Sequence, residues 1–259
     1  MKAVILAAGR GTRIDAVTHG LPKCLLEFDG RAILDHQIEA LWAAGVSRIG
    51  IVIGHRGERI VEHVESTYAD AIDSFQFIRN PLFATTNNIY SLWLARGWAA
   101  SDDMLCLNAD VLCHPAILAR VAASRHLASM IVDPEWRDET MKVIIRDGSV
   151  IRMSKSITAD QYSGTYIGIT AFSRKVVPLL YREIGTVIAE GGVHEFFNVA
   201  VQRLVDKGLR VGVTPTGRLP WAEIDDAADL RFARTVIYPR LRTAAGALNR
   251  AGDLMPAVA

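Results

Sequence analysis

Short apolar runs alternate, along the first half of the chain, with segments in which apolar residues recur at helical spacing. Leu34, Ile38 and Leu41 predict one face of a helix that ends at Gly45. This alternation predicts right-handed βαβ units and a mostly parallel, Rossmann-like sheet sandwiched between helices, which is an α/β fold. The runs with the length of buried strands are residues 2–6, 48–53, 75–78, 104–107 and 129–132.

The pattern changes in the second half of the chain. Runs 142–146 and 150–153 flank Asp147-Gly148, a strong hairpin signal, and 166–172 adds another strand-like run. We expect a small antiparallel patch beside the parallel sheet, placed as a lid over a ligand site. Helical segments reach about residue 207, and a strand-like run covers 210–215.

From residue 235 onward the pattern is a short basic helix that fades into small residues. We therefore divide the chain into one α/β domain, 1–234, and a C-terminal helical tail, 235–259. The tail is expected to be a homodimer contact or to be partly disordered.

Composition excludes several classes of protein. Lys plus Arg number 29 against 28 for Asp plus Glu, which gives no reason to expect a nucleic-acid partner. No apolar run approaches the roughly 18 residues of a membrane span, and no leader pattern opens the chain, so we expect a cytoplasmic protein. The three cysteines form no Cys-x-x-Cys pair, so they are expected to be reduced packing residues rather than a zinc site.

A glycine-rich turn follows the first strand-like run and is the strongest indication of function. Two glycines and consecutive backbone N–H groups in Leu6-Ala7-Ala8-Gly9-Arg10-Gly11-Thr12-Arg13 can surround phosphate oxygens, and Pro22-Lys23 follows one loop later. Arg13 and Lys23 would add full positive charges. The dinucleotide fingerprint fails because Ile14 stands where its third glycine would be and 15–22 reads as a loop, and no P-loop motif is present. The alternative is a surface turn with unrelated basic residues.

Three acidic residues are candidate metal ligands. Asp110 follows the strand-like run 104–107, where ligands of open α/β sheets collect, although a turn or helix-cap role is the common one for such an Asp. Glu223 and Asp225 alternate around Ile224, so an extended segment would direct both carboxylates to one face. Their alternative is a half-exposed edge strand with solvated carboxylates. Asp110 with Asp225 would suit Mg²⁺, which prefers one or two carboxylates together with phosphate oxygens and water.

The glycine-rich turn with Pro22-Lys23 resembles the signature loop of nucleotidyltransferases that join a nucleoside triphosphate to a phosphorylated small molecule. Further motifs are similar to the phosphocholine and aminoethylphosphonate cytidylyltransferase branch of that superfamily, over residues 1 to about 234. They are Asn80-Pro81, Asn87-Asn88-Ile89-Tyr90-Ser91-Leu92, Met141-Lys142-Val143, Ser154-Lys155, Gly164-Thr165-Tyr166-Ile167-Gly168-Ile169 and Trp221-Ala222-Glu223-Ile224-Asp225.

The resemblance implies Mg²⁺-dependent transfer of CMP from CTP to a small phosphorylated or phosphonate acceptor, with release of pyrophosphate. It implies that Lys23, Arg13 and Asp110 are catalytic, and that Asp110, Glu223 and Asp225 bind the metal. The nucleotide would contact Leu6, Ala7, Ala8, Gly9, Gly11, Thr12, Arg13, Lys23, Asn87 and Asn88. The acceptor would contact Tyr90, Asp133, Trp136, Lys142, Tyr166 and Trp221.

Several alternatives stay open at this stage. A quaternary ammonium acceptor would need aromatic faces, whereas a primary ammonium would prefer carboxylates such as Asp133 or Glu135, and both kinds of residue are present. Each aromatic residue could instead be ordinary packing, Lys142 could be solvated, and Asn87-Asn88 could simply cap a helix. The competing functions are a sugar-1-phosphate nucleotidyltransferase that uses UTP, CTP or another nucleotide, and a nucleotide-binding regulator without catalysis.

Overall fold

The computed structural model describes residues 1–243. The strands are β1 (Lys2–Ala7), β2 (Glu27–Phe28), β3 (Arg31–Ala32), β4 (Arg48–Ile53), β5 (Phe75–Arg79), β6 (Met104–Asn108), β7 (Val111–Cys113), β8 (Ala128–Asp133), β9 (Lys142–Arg146), β10 (Ser149–Ser154), β11 (Gly164–Phe172), β12 (Val211–Pro215) and β13 (Trp221–Glu223). The helices are α1 (Asp15–Thr18), α2 (Ile33–Ala43), α3 (Gly57–Thr67), α4 (Asn88–Leu94), α5 (Arg96–Ala99), α6 (Pro115–Ala122), α7 (Val177–Ala189), α8 (Asn198–Asp206) and α9 (Ala227–Phe232). Short 3-10 turns cover Thr12–Ile14, Lys23–Leu25 and Ala69–Ser74.

The main sheet has nine strands in the order β5-β4-β1-β6-β11-β8-β12-β10-β9. The α/β class is confirmed, but the expectation of a mostly parallel sheet is wrong. Strands β5, β4, β1 and β6 run parallel to one another, and β8 runs parallel to β12. The other neighbouring pairs in the sheet are antiparallel. The reason is β11, which was expected in a peripheral patch but lies between β6 and β8 and runs against both.

Helices cover both faces of the sheet because the central strands are apolar on both sides. In β1, Ala3, Ile5 and Ala7 belong to a core cluster shared with α2, α3 and α6. The intervening Val4 belongs to a second cluster shared with α4, α7 and α8. Alternation of side chains between the two faces of a strand produces this division. Cys24, Cys106 and Cys113 are free and buried, as expected, and burial raises the pKa of the Cys24 thiol to about 12.

Two of the turns that the sequence predicts are present. Gly45 follows α2 with φ of 79°, the left-handed geometry that glycine adopts at low cost. Asp147 and Gly148, with φ of 50° and 70°, join β9 to β10. Positive φ at both central positions fits the right-handed twist of a two-residue hairpin.

A third apolar cluster joins the glycine-rich turn to the end of the described chain. Ile14, next to Arg13, and Ile224, next to Asp225, are both buried in this cluster. Leu230 and Ile237 close it from the C-terminal side. Burial of the two isoleucines therefore brings Arg13 and Asp225 together across the sequence.

The C-terminal helix crosses the predicted boundary at 234/235, because α9 continues through a π-helical segment, Ala233–Ile237, to residue 243. The rest of the predicted tail, 244–259, lies outside the described residues, and the division of the chain stays a prediction. Within residues 1–243, none of the helices has both the length and the apolar character needed to cross a membrane.

Candidate active site

A cleft of about 680 Å³ opens where β1 and β6 end, and a smaller cavity of about 100 Å³ adjoins it beside the glycine-rich turn. Of the residues predicted for the site, those that line the large cleft are Leu6, Ala8, Gly9, Arg13, Asn87, Asn88, Asp110, Trp136, Tyr166, Glu223 and Asp225. The small cavity is lined by Ala7, Gly11 and Lys23, together with Leu6, Gly9 and Asp110. Thr12 lines neither cavity.

The glycine-rich turn leaves space for a ligand and for Lys23. A Cβ added to Gly9 would have no neighbour within 4 Å, so the backbone there is open to the cleft. Gly11 has φ of 62°, and a Cβ at this position would lie 2.9 Å from Cγ of Lys23. The expected loop at 15–22 is partly wrong, because α1 forms a single helical turn there, with Thr18 buried.

The predicted cations meet two of the predicted carboxylates at one point of the cleft. The Lys23 Nζ lies 2.5 Å from Oδ1 of Asp225 and 3.5 Å from Oδ2 of Asp110. The Arg13 guanidinium donates to Oδ2 of Asp225 at 2.7 Å. Burial lowers the pKa of Lys23, but the charges of Asp110 and Asp225 outweigh this effect and the net pKa is raised. Lys23 is therefore a fixed positive charge at neutral pH.

The carboxylates differ in their ionisation because their partners differ. Burial raises the pKa of Asp225, but Lys23 and Arg13 outweigh it and hold the pKa below its usual range. Burial raises the pKa of Asp110 despite the opposing charge of Lys23. The pKa of Glu223 rises to about 8, first through loss of hydration and then through the negative charges of Asp110 and Asp225.

The carboxylates can share a divalent cation with a bound phosphate. The Oδ1 atom of Asp110 is buried without a hydrogen-bond partner among the described residues. Within residues 1–243 no group of three or more His, Cys, Asp or Glu side chains forms a metal site by itself. Mg²⁺ does not need such a group, because it takes one or two carboxylates and completes its shell with phosphate oxygens and water. The free Oδ1 atom beside the glycine-rich turn fits that requirement.

Hydrogen bonds fix the backbone next to Asp110 and next to Asp225. The Nε2 atom of Gln37, which is buried on α2, donates to the carbonyls of Asn108 and Val111, both at 2.8 Å. The Ile224 N–H donates to the carbonyl of Asp110 at 3.0 Å, and the Asp225 N–H donates to Oδ2 of Asp229 at 2.9 Å. The backbone on both sides of the charge cluster is therefore fixed.

Asn87 and Asn88 line the cleft where α4 begins. Oδ1 of Asn87 accepts from the N–H of Asn88 at 2.7 Å, so Asn87 caps the helix as its sequence position suggested. Oδ1 of Asn88 accepts from the N–H of Phe197 at 2.8 Å, which ties α4 to the segment before α8. Both side-chain amides remain at the cleft wall as donors.

Only two of the six predicted acceptor residues, Trp136 and Tyr166, line the cleft. Asp133 is buried and accepts from the Thr216 hydroxyl and from the N–H of Glu135. Tyr90 is half-buried and lies outside the cleft lining. Asp133 therefore supports the start of the loop that follows β8.

The other two predicted acceptor residues lie behind the cleft wall. Lys142 is 3 % exposed, and its Nζ lies 4.6 Å from the centroid of the Trp136 ring. Trp221 is 2 % exposed and is covered by the guanidinium of Arg137, 3.9 Å from the ring centroid.

The sequence reasoning missed several cleft residues. Arg137, Asp138 and Glu139 lie on the loop between β8 and β9, and Asn108 and Asn198 come from β6 and α8. For the loop residues the sequence does offer a signal, because Arg137, Asp138 and Glu139 form a charged segment shortly after the strand-like run 129–132. No local signal marks Asn198, because its place at the cleft depends on how α8 packs.

Comparisons with known proteins agree with this geometry. The chain matches the MobA-like NTP transferase domain over residues 3–183. It is 28 % identical over 249 residues to the CMP-5'-(3-aminopropyl)phosphonate synthase of Streptomyces rubellomurinus, covering 90 % of this chain but only 38 % of that protein. It is 26 % identical over 234 residues to the 2-aminoethylphosphonate cytidylyltransferase of Lancefieldella rimae, covering 88 % of this chain and 89 % of that protein.

A solved structure shows the same fold. The CTP:phosphocholine cytidylyltransferase of Streptococcus pneumoniae superimposes with a TM-score of 0.75 at 21 % identity, over 91 % of this chain and 98 % of that one. The family match covers well over half of the chain. The chain therefore belongs to the family with the MobA-like NTP transferase domain.

Proposed function

We propose that the protein transfers CMP from CTP to a small phosphorylated or phosphonate acceptor, with Mg²⁺, and releases pyrophosphate. The observation that carries the proposal is the convergence of Lys23, Asp110 and Asp225 beside the glycine-rich turn. The names of the aligned relatives, a CMP-aminopropylphosphonate synthase and an aminoethylphosphonate cytidylyltransferase, support the choice of CTP and of the acceptor class.

The nucleotide would lie along the turn 6–13. Open backbone at Gly9 lets phosphate oxygens approach the N–H groups, and Arg13 and Lys23 would bind those oxygens with charged donors. Asn87 and Asn88 offer amide groups to the base or the ribose. Asp110 and Asp225, with Glu223 beside them, would hold Mg²⁺, which when bound neutralises charge on the phosphates.

Catalysis in this proposal needs no nucleophilic side chain, because the acceptor brings its own anionic phosphate or phosphonate oxygen. The task of the residues is to hold two anions in line against their repulsion, which can lower the barrier by on the order of 7 kcal/mol or more. Lys23 and Arg13 would stabilise the negative charge that builds up on the α-phosphate and on the departing pyrophosphate.

A single matrix of reactions tests the proposal. Each of CTP, UTP, ATP and GTP is mixed with 2-aminoethylphosphonate, phosphocholine and several sugar 1-phosphates in the presence of Mg²⁺, and pyrophosphate release is measured. We expect the highest kcat/KM with CTP and an amine-bearing acceptor. Preference for a sugar 1-phosphate would replace this proposal with the sugar-nucleotide alternative, and absence of pyrophosphate in every mixture would point to a regulator.

A further inference from the structure

Lys142 is a buried cation without an anionic partner. It begins β9 and is 3 % exposed. None of the ion pairs within residues 1–243 includes it. Its Nζ donates instead to the backbone carbonyls of Thr140 and Lys155, each at 3.4 Å. Because uncharged carbonyls offset only part of the cost of taking an ammonium group out of water, stability alone does not explain a lysine here.

The third contact of the Lys142 ammonium group is the ring of Trp136. The Nζ lies 4.6 Å from the ring centroid, which is the distance of a cation–π contact. Trp136 is 40 % exposed and lines the cleft, whereas Lys142 lies behind the cleft wall. The ammonium group therefore holds one face of the indole and leaves the other face open to the cleft.

Other contacts fix the edge of the same ring. Tyr162 packs edge-on against Trp136, with the ring centroids 4.9 Å apart. The hydroxyls of Tyr162 and Thr165 donate to the carbonyl of Glu135, at 2.6 and 2.8 Å. The Nε1 atom of Trp136 donates to Oδ1 of Asp138 at 2.9 Å. These contacts restrain the ring at its edge, and the restraint from behind is left to the ammonium group.

The Lys142 ammonium group joins three pieces of the cleft wall. Trp136, Thr140 and Lys155 all line the cleft. The first two lie on the loop between β8 and β9, whereas Lys155 follows β10. Lys142 itself is paired with β10 on one side and with β11 on the other, so its backbone is a fixed point. One side chain thus sets the position of the ring relative to two backbone segments.

This part of the wall belongs to the half of the sheet that the proposed nucleotide site does not use. In the proposed function the triphosphate lies along the turn after β1, and the base or ribose lies near Asn87 and Asn88, which follow β5. Strands β5, β4 and β1 form one end of the sheet, whereas Trp136 follows β8 and Lys142 begins β9. The open face of Trp136 is therefore left for the acceptor.

We infer that Lys142 is a positioning residue for the acceptor: its ammonium group does not contact the acceptor but fixes the face of Trp136 against which the acceptor packs. This inference rests on the proposed function and adds to it a residue behind the cleft wall. Without the ammonium group the ring gains freedom, and ordering it again costs affinity when the acceptor binds. The role does not depend on the head group of the acceptor, because an indole face packs against alkyl chains and ammonium groups alike.

Lys142→Met separates this role from a role in the fold. We expect the variant to unfold at a denaturant concentration no lower than the wild type, because an unpaired buried charge is removed and the two carbonyls belong to residues that are not buried. Kinetics are measured with CTP, Mg²⁺ and either 2-aminoethylphosphonate or phosphocholine. KM for the acceptor should rise about tenfold, while kcat and KM for CTP stay within about twofold of the wild type.

A double-mutant cycle shows whether Lys142 acts through the ring. Trp136→Ala alone should raise KM for the acceptor about tenfold or more, because the packing face is lost. Adding Lys142→Met to it should raise KM no further, since the ammonium group then has no ring to hold. Lys175→Met, the same change at an exposed lysine away from the cleft, is the matched control and should leave all values unaltered.

Several results would overturn the inference and leave the proposed cytidylyl transfer standing. They are an unchanged KM for the acceptor in Lys142→Met or in Trp136→Ala, additive effects in the double variant, and an equal rise of both KM values. A Lys142→Met protein that is less stable or does not fold would also overturn it, because Lys142 would then support the sheet itself. No turnover of either acceptor by the unaltered protein would overturn the proposed function together with the inference.

Discussion

The charges of Lys23 and Arg13 are paired with carboxylates, whereas those of Arg137 and Lys155 lie on aromatic rings. Lys23 and Arg13 contact Asp225, whose backbone N–H donates to Asp229. Arg137 and Lys155 have a ring behind them and no carboxylate partner in the described chain. On the proposed function, the first arrangement would bind the triphosphate and the metal.

The largest expected effect comes from breaking the charge cluster. Lys23→Ala or Asp110→Asn should lower kcat by about 100-fold or more, since each removes electrostatic stabilisation of the transition state. Pyrophosphate release measures the rate, and circular dichroism checks that the fold is intact. Lys175→Ala, at an exposed lysine away from the cleft, is the control. Near-normal turnover of a folded Lys23→Ala would remove this lysine from the mechanism.

The next largest effect should come from Gln37, which holds the backbone on both sides of Asp110 but adds no charge to the cleft. Gln37→Leu leaves the carbonyls of Asn108 and Val111 without their donor, and an unsatisfied buried group costs about 1–3 kcal/mol of unfolding free energy. We expect lower stability in denaturant and a higher Mg²⁺ requirement for turnover. Gln76→Leu makes the same change at an exposed position and should alter neither. A destabilised variant with an unchanged Mg²⁺ requirement would show that Gln37 supports the fold alone.

The raised pKa of Glu223 predicts a pH effect on the metal-free protein. The pKa of the folded state, about 8, lies above the usual value of 4.5, so the native state binds more protons than the unfolded state between these values. The contribution of Glu223 to stability is therefore full below 4.5 and is lost as pH rises towards about 8. Thermal unfolding in a chelator should show Glu223→Gln gaining stability relative to the wild type as pH rises. A constant difference between the two proteins would contradict this assignment.

The smallest effect should come from the ion pair between Arg13 on the glycine-rich turn and Glu139 on the loop between β8 and β9. Glu139 lies 3.3 Å from Arg13, and both side chains are more than half exposed. Because an exposed ion pair contributes at most about 1 kcal/mol, Glu139→Gln should change KM for CTP by less than about threefold. Arg13→Gln is the comparison, since it removes the phosphate donor itself and should raise KM for CTP about tenfold. Equal effects of the two substitutions would mean that the pair acts as a unit.

The sequence predicted the cluster of Lys23, Asp110 and Asp225 better than it predicted the surroundings of Arg137 and Lys155. The reasons are physical. The glycine-rich turn, Asp110 and the alternation around Ile224 are local patterns, and the ends of parallel strands bring such residues together. The place of β11 between β6 and β8 depends on pairing between distant segments, which the run 166–172 does not record.

Cation–ring contacts also escape sequence reasoning. Trp221 and Arg137 are far apart in the chain, and the family resemblance placed Trp221 among the acceptor contacts, with ordinary packing as the alternative. The structure instead places the ring at 2 % exposure under a guanidinium. Asp133 was likewise expected at the acceptor, but it is buried and bonded to Thr216. Side-chain burial of this kind follows from tertiary packing and leaves no periodic pattern to read.

The position of Lys23 between two acidic side chains also bears on the charge balance of the cleft before a nucleotide binds. Two carboxylates that face each other repel, and the resting protein offsets that repulsion with its own ammonium group. On the proposed function, Mg²⁺ bound with the nucleotide would take over from Lys23 the task of offsetting that repulsion. Lys23 would then be available to the phosphates.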